Sequence, residues 1–574
     1  MQKWIEKKPK HNINKGKDLL SQLCNIRGIS IDEVDEFLSP SRDSLHPASD
    51  MKNAIQGAER IMQAIENDES IVVSADNDAD GVTSTAIIIR YLRERMNKDI
   101  PYVFAERDWG HGIKEQLSVK LDNVDNEERN DNAEKNKRMI EEADLLIIVD
   151  SSSNDVDTCE EIVKNGTDVV ILDHHKISDA KKTMEDVGVI LVNPQQPKCG
   201  YINKSISGAG VVYKMVGLIE ELYDDELIDT EKYIDLAGVG IYGDMMSMSV
   251  PENRYIVNQA LLNIHNMGLE RIIKSGNNSK TDGLTGDIIG FTVAPLINGT
   301  ARMGNIQDAI ELLLSDEDKE VKKIRLRMNK ENEKRKILQK EMTDKFTQDI
   351  DTSGKMIFII TDESSSGMNG LVAQDIAQKY NRPVFVGRNK NGTIMGSARS
   401  YNNIPLETFF NKSGLVDFAT GHEGALGIGF QEENFESIKS YVEENMPTVK
   451  LKEAVYYYDV QLDSTELLES IDILEAFNHV TGTDCKKITV RINDLMVDER
   501  KILGANNNTI KIITMDEVDL IKFRVDETYA EEISVMDSIS VIGELKWNIW
   551  TKFKPVYEVV KTMQVIVSDY RLEV

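Results

Sequence analysis

Short, continuous apolar runs recur through the first half of the chain and constrain its fold more than any other feature. They alternate with stretches of helical character, and they are Ile71–Ser74, Asp144–Val149, Asp168–Leu172, Val187–Val192 and Leu236–Tyr242. Runs that are apolar at nearly every position are typical of strands covered on both faces, and their alternation with helices is typical of parallel sheets. The sequence therefore predicts an α/β domain built on a parallel sheet.

Acidic and imidazole side chains follow four of these runs. They are Asp76, Asp78 and Asp80, then Asp150, then Asp173 with His174 and His175, and finally Asp244. Because ligands of parallel sheets bind outside the carboxyl ends of the strands, we expect these side chains at one edge of the sheet. Carboxylates gathered this closely repel one another, and a divalent cation relieves the repulsion. The pattern predicts a metal site.

The stretch Asp76-Asn77-Asp78-Ala79-Asp80-Gly81 has other interpretations when it is taken alone. A solvated acidic turn is an equal alternative. An EF-hand loop would need a glutamate at its twelfth position, which is Ile87 here. A phosphate-cradling loop is weakly supported, because only one glycine is present. The acids that end the other runs favour the metal site over the acidic turn.

The predicted ligands are carboxylates and imidazole without any thiolate. Such a set favours manganese or magnesium over zinc or copper. Five or six candidate ligands exceed the needs of one ion. Two ions that share a carboxylate, about 3.5–4 Å apart, suit an in-line displacement at phosphorus.

Charge and cysteine content narrow the class of protein. A formal charge of −30 opposes indiscriminate binding to nucleic acid, although it leaves room for a local basic groove. The four cysteines are far apart, which argues against a zinc ribbon or a disulfide framework and predicts a reducing, cytoplasmic location. The sequence predicts no transmembrane helix and no signal peptide.

A chain of 574 residues is long for one core, and about three domains are expected. We predict a first domain over 1–315 with a helical lead-in, a solvated connector helix over 316–350, a second α/β domain over 351–450 and a last domain over 451–574. Short alternating strands in the last segment predict a small β-barrel.

A series of short motifs runs through most of the chain. In order, they are Arg27-Gly28-Ile29, Phe37-Leu38-Ser39-Pro40, Asp76–Gly81, Val149-Asp150, Asp173-His174-His175, Asn193–Pro197, Gly208–Val211, Gly243-Asp244, Pro251–Arg254, Ala294–Asn298, Arg382-Pro383-Val384, Gly396–Ser400 and Gly421-His422. In this order they resemble the motifs of the DHH phosphoesterase superfamily, and of the RecJ-type single-strand DNA exonucleases in particular. The resemblance implies a parallel-sheet DHH domain, a smaller α/β DHH-associated domain beyond a long helix, and a C-terminal OB-like barrel.

The resemblance also implies roles for the acids and histidines. One ion would be held by Asp78 and Asp150 with Asp76, and the other by Asp80, Asp150, His174 and Asp244, so that Asp150 bridges the pair. His175 would contact the scissile phosphate or protonate the leaving oxygen. Asp173 would orient the histidines.

The second half of the chain offers candidate substrate contacts. Small residues beside arginine and histidine suit close approach to a phosphate, although an ordinary strand and turn is an equal alternative from the residues alone. The resemblance makes a 5′-phosphate and backbone clamp of Arg107, Arg302, Ser397, Arg399 and His422. The departures Ser151-Ser152 and Thr420–Gly427 from the family pattern put substrate details in question without removing a metal ligand.

Aromatic and basic residues interleave near the C-terminus. Lys546, Trp547, Trp550 and Lys552 have the pattern of a platform that stacks on single-stranded nucleic acid, with a buried aromatic face of a strand as the equal alternative.

The predicted function is a two-metal (Mn²⁺ or Mg²⁺) 5′→3′ exonuclease that degrades single-stranded DNA to 5′-mononucleotides in repair, recombination or replication. One alternative is a phosphodiesterase acting on short oligonucleotides or cyclic dinucleotides, and another is a non-catalytic scaffold associated with a helicase. Single-stranded DNA is the expected partner, together with a single-strand-binding protein or a helicase, and the chain is expected to be a monomer.

Overall fold

The structure is a computed structural model of the chain. It describes residues 3–9, 13–105, 110–118, 127–178, 181–223, 227–276, 283–348, 350–402, 404–447, 455–479, 481–504, 507–552 and 558–573.

Strands occur in both halves of the described chain. They are β1 (Lys3–Glu6), β2 (Ile71–Ser74), β3 (Tyr102–Val103), β4 (Leu145–Val149), β5 (Asp168–Leu172), β6 (Ile190–Val192), β7 (Ile357–Ile360), β8 (Val384–Lys390), β9 (Thr393–Arg399), β10 (Phe418–His422), β11 (Ala425–Gln431), β12 (Val455–Tyr458), β13 (Val460–Leu462), β14 (Val490–Leu503), β15 (Thr509–Thr514), β16 (Val518–Phe523), β17 (Ser538–Lys552) and β18 (Glu558–Glu573).

Helices separate most of these strands. They are α1 (Leu19–Arg27), α2 (Val34–Leu38), α3 (Ala54–Glu66), α4 (Ala79–Met96), α5 (Ile113–Leu117), α6 (Glu127–Glu141), α7 (Val156–Lys164), α8 (Gly208–Leu222), α9 (Ile234–Gly243), α10 (Pro251–Leu262), α11 (Met267–Gly276), α12 (Gly286–Ile288), α13 (Ala294–Arg302), α14 (Ile306–Leu314), α15 (Asp318–Phe346), α16 (Ser366–Tyr380), α17 (Leu406–Ser413), α18 (Phe435–Asn445) and α19 (Leu467–Asn478).

The chain divides into two compact units. One comprises Met1–Leu45, Ser247–Asn258 and Lys452–Val574, and the other comprises His46–Met246 and Gln259–Leu451. The helical lead-in as far as Leu45 thus groups with the C-terminal residues. The finer domain boundaries given above stay a prediction.

The larger unit contains the predicted parallel sheet. Its strand order is β3-β2-β4-β5-β6, and each neighbouring pair is parallel. Every residue of β2 and β4 is buried, because helices cover both faces of the sheet. Side chains of α6 and α7 share one apolar cluster with the sheet, and α4 and α8 pack on the strands as well. The α/β prediction is confirmed.

The apolar run Leu236–Tyr242 is not a strand, and that part of the prediction is wrong. It forms the middle of α9, which packs against α4 and α8. Nearly all of this helix is buried, so it lacks the polar face that reveals a surface helix. A short run that is apolar all round has the same pattern in a buried strand and in a buried helix.

A second, mixed sheet lies later in the same unit, in the order β10-β11-β9-β8-β7. Strands β7 and β8 are parallel, and the other pairs are antiparallel. The 29-residue helix α15 precedes this sheet and is mostly exposed and charged, as predicted.

The smaller unit contains the predicted barrel. Strand β14 pairs with both β15 and β17, β15 pairs with β16, β16 pairs with β18, and β18 pairs with β17, so five strands close a ring. A five-stranded barrel of this kind is the OB-like fold that was predicted. In the described residues, no helix is long and apolar enough to cross a membrane.

Candidate metal centre

The acidic loop after β2 is shaped by the start of α4. Asp78 caps this helix, and its Oδ1 accepts hydrogen bonds from the amides of Asp80 (3.1 Å) and Gly81 (3.2 Å). The free amides and the dipole of a helix N-terminus favour carboxylates at this position. The helix therefore holds Asp78 and Asp80 close together despite their like charges.

Asp80 is fixed by a second helix. Its carboxylate accepts hydrogen bonds from the amides of Gly208 (2.7 Å) and Ala209 (2.9 Å), which begin α8. Asp80 is almost fully buried. Two helix starts thus converge on one carboxylate pair at the end of β2.

Asp150 follows β4 directly and has a left-handed backbone with φ 57°. Such a conformation is costly for a residue with a β-carbon, and it recurs at functional sites. The Asp150 carboxylate lies against Gly208, where a β-carbon would stand 2.4 Å from its Oδ1. Only glycine at position 208 leaves room for this carboxylate.

His174 brings together the acids of three elements. Its Nε2 lies 3.6 Å from Asp80 Oδ2, 3.3 Å from Asp150 Oδ1 and 3.5 Å from Asp244 Oδ2. Asp244 stands at the end of α9 rather than of a strand. It reaches the cluster all the same, because α9 packs on α4, the helix that begins at the acidic loop.

The donor atoms fall into overlapping groups that suit metal ions. Each group has its ligand atoms within 4.8 Å of one another, and the groups are Asp76 with Asp78 and Asp150, Asp80 with His174 and Asp244, and Asp150 with Asp173, His174 and His175. Asp150 belongs to two of them. Among the described residues, Oδ1 of Asp150 and Nε2 of His174 are buried without a hydrogen-bond partner. Buried oxygen and nitrogen atoms that lack a hydrogen-bond partner are suited to bind a cation.

The cluster is electrostatically unfavourable without a cation. Burial, followed by the charges of Asp80 and Asp78, raises the pKa of Asp150 well above its usual value. The same causes raise the pKa of Asp244 to about 8. Burial lowers the pKa of His174, which favours the neutral imidazole that binds metals.

Asp173 and His175 form a separate pair beside the cluster. Nδ1 of His175 lies 2.8 Å from Asp173 Oδ1, and Ser153 donates its hydroxyl hydrogen bond to Asp173 Oδ2 at 2.5 Å. Burial opposes charge on both residues. Their mutual attraction outweighs it, holding the pKa of Asp173 far below its usual range and raising the pKa of His175 to about 10. Asp173 therefore orients a His175 whose side chain stays partly exposed.

Sequence reasoning missed His111 as a residue of this site. Its Nδ1 lies 3.9 Å from Asp76 Oδ1, and its ring centroid lies 5.9 Å from that of His175. Asn77 donates a hydrogen bond to the carbonyl of Gly110 at 2.7 Å, which ties the His111 loop to the acidic loop. A histidine between two glycines, Gly110 and Gly112, was the available signal.

Helix α13 connects the acidic loop to the mixed-sheet region. Asn298 accepts a hydrogen bond from the Ala79 amide (2.8 Å), and one turn later Arg302 donates to the carbonyl of Gly367 in α16 (2.8 Å). Arg302 is therefore placed between the metal cluster and the second half of this unit. Arg107 lies outside the described residues.

The other predicted clamp residues share one region of the mixed sheet. Arg399 and His422 both pair with Ala425, from opposite sides of β11, and Ser397 pairs with Gly427. The guanidinium of Arg399 lies over α16, where a β-carbon on Gly370 would stand 2.3 Å from it. The His422 side chain lies outside what the structure describes.

The aromatic and basic strand is β17, and its two faces differ. Trp547 donates its indole hydrogen bond to Asp472 (2.7 Å), and the Lys561 ammonium sits 3.9 Å from its ring centroid. Trp550 is exposed and pairs with Val560. Lys546 is half-buried, and the Lys552 side chain lies outside the described part of the chain.

Comparison with known proteins bears on both the sheet domain and the whole chain. The family described as "DHH family, N-terminal domain" matches residues 70–241. The putative SPbeta prophage-derived single-strand DNA-specific exonuclease YorK of Bacillus subtilis (strain 168) is 24% identical, over 92% of this chain and 93% of that protein. The single-stranded-DNA-specific exonuclease RecJ of the same organism is 26% identical, over 96% of this chain and 68% of that protein.

Solved structures agree on the fold. RecJ of Thermus thermophilus in complex with Mn²⁺ matches with a TM-score of 0.73 and 22% identity, over 96% of this chain and 75% of that one. The same protein in complex with Mg²⁺ matches with a TM-score of 0.68 and 21% identity, over 96% of this chain and 74% of that one.

Proposed function

Since the chain is a divergent RecJ-like member of the DHH family, we propose that it is a metal-dependent exonuclease that hydrolyses single-stranded DNA in the 5′→3′ direction to 5′-mononucleotides. The curated relatives named above are single-strand DNA-specific exonucleases. The observation that carries the proposal is the convergence of Asp80, Asp150 and Asp244 on the buried Nε2 of His174.

Two ions, Mn²⁺ or Mg²⁺, fit the donor set. Asp76, Asp78 and Asp150 would hold one, and Asp80, His174 and Asp244 would hold the other, with Asp150 shared between them. When bound, the ions neutralise charge that develops on the phosphate and make a strong nucleophile available at neutral pH. The carboxylates supply the fixed geometry on which this chemistry depends.

The chain's own acid–base group is His175. Asp173 accepts from its Nδ1, which leaves Nε2 to donate to an oxygen of the phosphate or to the leaving oxygen. Because Asp173 is itself fixed by Ser153 and by the amide of His174, the imidazole is held in one orientation. In this proposal His175 contacts the reacting group, and its hydrogen bond to Asp173 and its partly exposed side chain support that role.

Polarity in this proposal depends on a clamp for the 5′-phosphate. Arg302 and Arg399 both lie at the first turns of α16, and Ser397 and His422 share the adjoining sheet register. Arginine pairs with phosphate through two parallel hydrogen bonds. These four residues, together with Arg107, would fix the terminal phosphate while the next phosphodiester lies at the metal cluster.

The OB-like barrel would also bind single-stranded DNA. Trp550 has the exposure that stacking requires, and Lys546 is half-buried. The Trp547 ring already lies against the Lys561 ammonium, and its indole donates to Asp472 of α19. A single-strand-binding protein or a helicase is the expected partner, and a monomer is the expected state.

End-labelled single-stranded DNA digested with Mn²⁺ tests this function. The proposal expects a 5′ label to be released at once as mononucleotide, while a 3′-labelled strand shortens gradually. Immediate release of the 3′ label would contradict the polarity. Cleavage of dinucleotides without cleavage of long strands would favour the short-oligonucleotide phosphodiesterase, and no cleavage of either would favour the scaffold.

A further inference from the structure

A continuous helical segment passes the metal cluster and changes its winding on the way. It begins as α12, widens into a π-helix over Ile289–Val293, and continues as α13 to Arg302. Asn298 on this segment bonds to the Ala79 amide in the acidic loop, and Arg302 ends it at the proposed phosphate clamp. The segment therefore has one end at the clamp and its middle at the metal cluster.

An aromatic ring next to a metal ligand packs against α12 and the π-helix. A β-carbon on Gly286 would stand 2.3 Å from Cε2 of Tyr242, and one on Gly290 would stand 3.2 Å from its Cε1. The Tyr242 ring therefore lies against the two glycines, and Tyr242 precedes Asp244 by two residues. Single π turns are rare and recur at functional sites.

The π-helix presents an apolar side chain to solvent. Phe291 is 77% exposed, the largest exposure of any large hydrophobic side chain in the described residues, whereas Ile289 and Val293 on either side of it are buried. Met245, directly after Asp244, is 72% exposed and has a left-handed backbone. Met245 directly follows the Tyr242–Asp244 stretch, and Phe291 directly follows Gly290, which lies against the Tyr242 ring. An aromatic ring in water has not gained the free energy of burial, so the Phe291 ring is available to a ligand that covers it.

The spacing along the helix tells which part of a strand would meet Phe291. Phe291 precedes Asn298 by seven residues, which is about 10 Å along a helix, and Arg302 lies about 6 Å beyond Asn298 in the other direction. A strand that followed the helix axis, with its 5′ end at Arg302 and its scissile phosphate near Asn298, would continue toward Phe291. The ring would then meet the part of the strand that remains after cleavage.

We propose that Phe291 stacks on the base of the second or third nucleotide from the 5′ end, on the 3′ side of the scissile phosphate. The inference rests on the proposed function, because that function fixes the direction of the strand. Stacking requires only the π-face that every base has, so the contact would hold the strand without reading its sequence. An uncharged ring also suits a position beside an acidic cluster, where a base is repelled less than a phosphate.

The test uses 5′-phosphorylated, fluorescein-labelled oligonucleotides that carry one abasic site at each of positions 1 to 5. Steady-state digestion with Mn²⁺ gives kcat and KM, and fluorescence anisotropy with Ca²⁺ gives binding. The proteins are the full-length chain, Phe291→Ala, Phe291→Trp, and Leu262→Ala as a control for removing another exposed apolar side chain.

We expect Phe291→Ala to raise KM and Kd for the intact strand about tenfold with kcat little changed, and Phe291→Trp to behave as the unaltered chain. An abasic site at position 2 or 3 should weaken binding to the unaltered chain and to Leu262→Ala. It should add nothing to the loss in Phe291→Ala, because the two changes remove the same contact.

Binding by Phe291→Ala equal to that of the unaltered chain, or losses that add at every position, would overturn the stacking inference while leaving the nuclease intact. An unaltered chain that binds no single-stranded DNA would remove the proposed function and this inference together. If Phe291 instead binds a partner protein, Phe291→Ala would bind single-stranded DNA as well as the unaltered chain does, and the stacking inference would be overturned.

Discussion

The two sheets of the larger unit hold their polar residues in opposite ways. At the edge of the parallel sheet, Asp80, Asp150 and Asp173 are almost fully buried. The first amides of α8 hold Asp80, and Ser153 holds Asp173. In the mixed sheet, Ser397 and Arg399 remain half-exposed. Buried carboxylates need a resident cation, whereas open arginines suit an anion that arrives and leaves. The edge of the parallel sheet thus suits a metal ion that stays bound, and the mixed sheet suits a phosphate that binds and dissociates.

The largest expected effect comes from removing the shared ligand. Asp150→Ala should lower hydrolysis by about 10³ or more, because metal ions contribute several kcal/mol to stabilising the transition state. The measurement is kcat/KM on single-stranded DNA with Mn²⁺, with a thermal melt to check folding. Asp157→Ala, which removes an exposed carboxylate from α7, is the matched control and should be silent. Retained Mn²⁺-dependent cleavage in Asp150→Ala would refute the proposal that the metal site lies at this edge of the parallel sheet.

A smaller loss should follow from crowding the same carboxylate. Gly208→Ala places a β-carbon 2.4 Å from Asp150 Oδ1, so the carboxylate must move. A displacement on the order of 1 Å costs roughly 10²-fold in rate. Gly217→Ala in the same helix meets nothing closer than 4.0 Å and is the control. Equal activity of the two variants would show that the carboxylate need not lie where the structure places it.

Metal affinity should depend on pH because protons compete for the same oxygens. Before an ion binds, the raised pKa of Asp244, about 8, means that this carboxyl holds a proton at neutral pH and loses it as the pH rises. Mn²⁺ affinity should therefore increase up to about tenfold per pH unit between pH 6 and 8 and level off above pH 8. Calorimetric titrations at several pH values measure this slope. Asp244→Asn should make the slope shallower without abolishing it, because the pKa of Asp150 is raised as well. An unaltered slope in that variant would assign the proton elsewhere.

The smallest effect is expected from removing an arginine of the mixed sheet. Arg399→Ala should raise KM about tenfold for 5′-phosphorylated strands and change KM little for strands with a 5′-hydroxyl, because only the former offer the terminal phosphate. Arg388→Ala, an exposed arginine on β8, is the control. An equal rise in KM for both kinds of strand would mean that Arg399 contacts the DNA backbone or stabilises the fold, and does not bind the terminal phosphate.

The same contrast explains which features could be predicted from the sequence. Strand β4 ends at Val149 and β5 ends at Leu172, and the carboxyl ends of parallel strands share an edge. The positions of Asp150, Asp173 and His174 follow from that rule alone. Asp244 lies 3.5 Å from His174, but it was expected there as the end of a strand, and the run before it is a helix.

Long-range packing set the features that could not be predicted. His111 lies near the cluster because Asn77 hydrogen-bonds to the loop that carries it, and sequence periodicity does not predict such a contact. The π-helix packs on the Tyr242 ring, which comes from an element more than 40 residues earlier. Trp547 fits a stacking pattern in sequence, and the structure places the Lys561 ammonium 3.9 Å from its ring centroid, a contact from a later strand that the pattern does not predict.

The central claim is that acids from separate elements, with one imidazole, hold a pair of cations. Anomalous diffraction from crystals grown with Mn²⁺ tests it most directly. The account predicts two peaks about 3.5–4 Å apart, with Asp150 contacting both ions and His174 contacting one. A cluster that takes up no Mn²⁺, or Mn²⁺ bound only elsewhere on the chain, would contradict it.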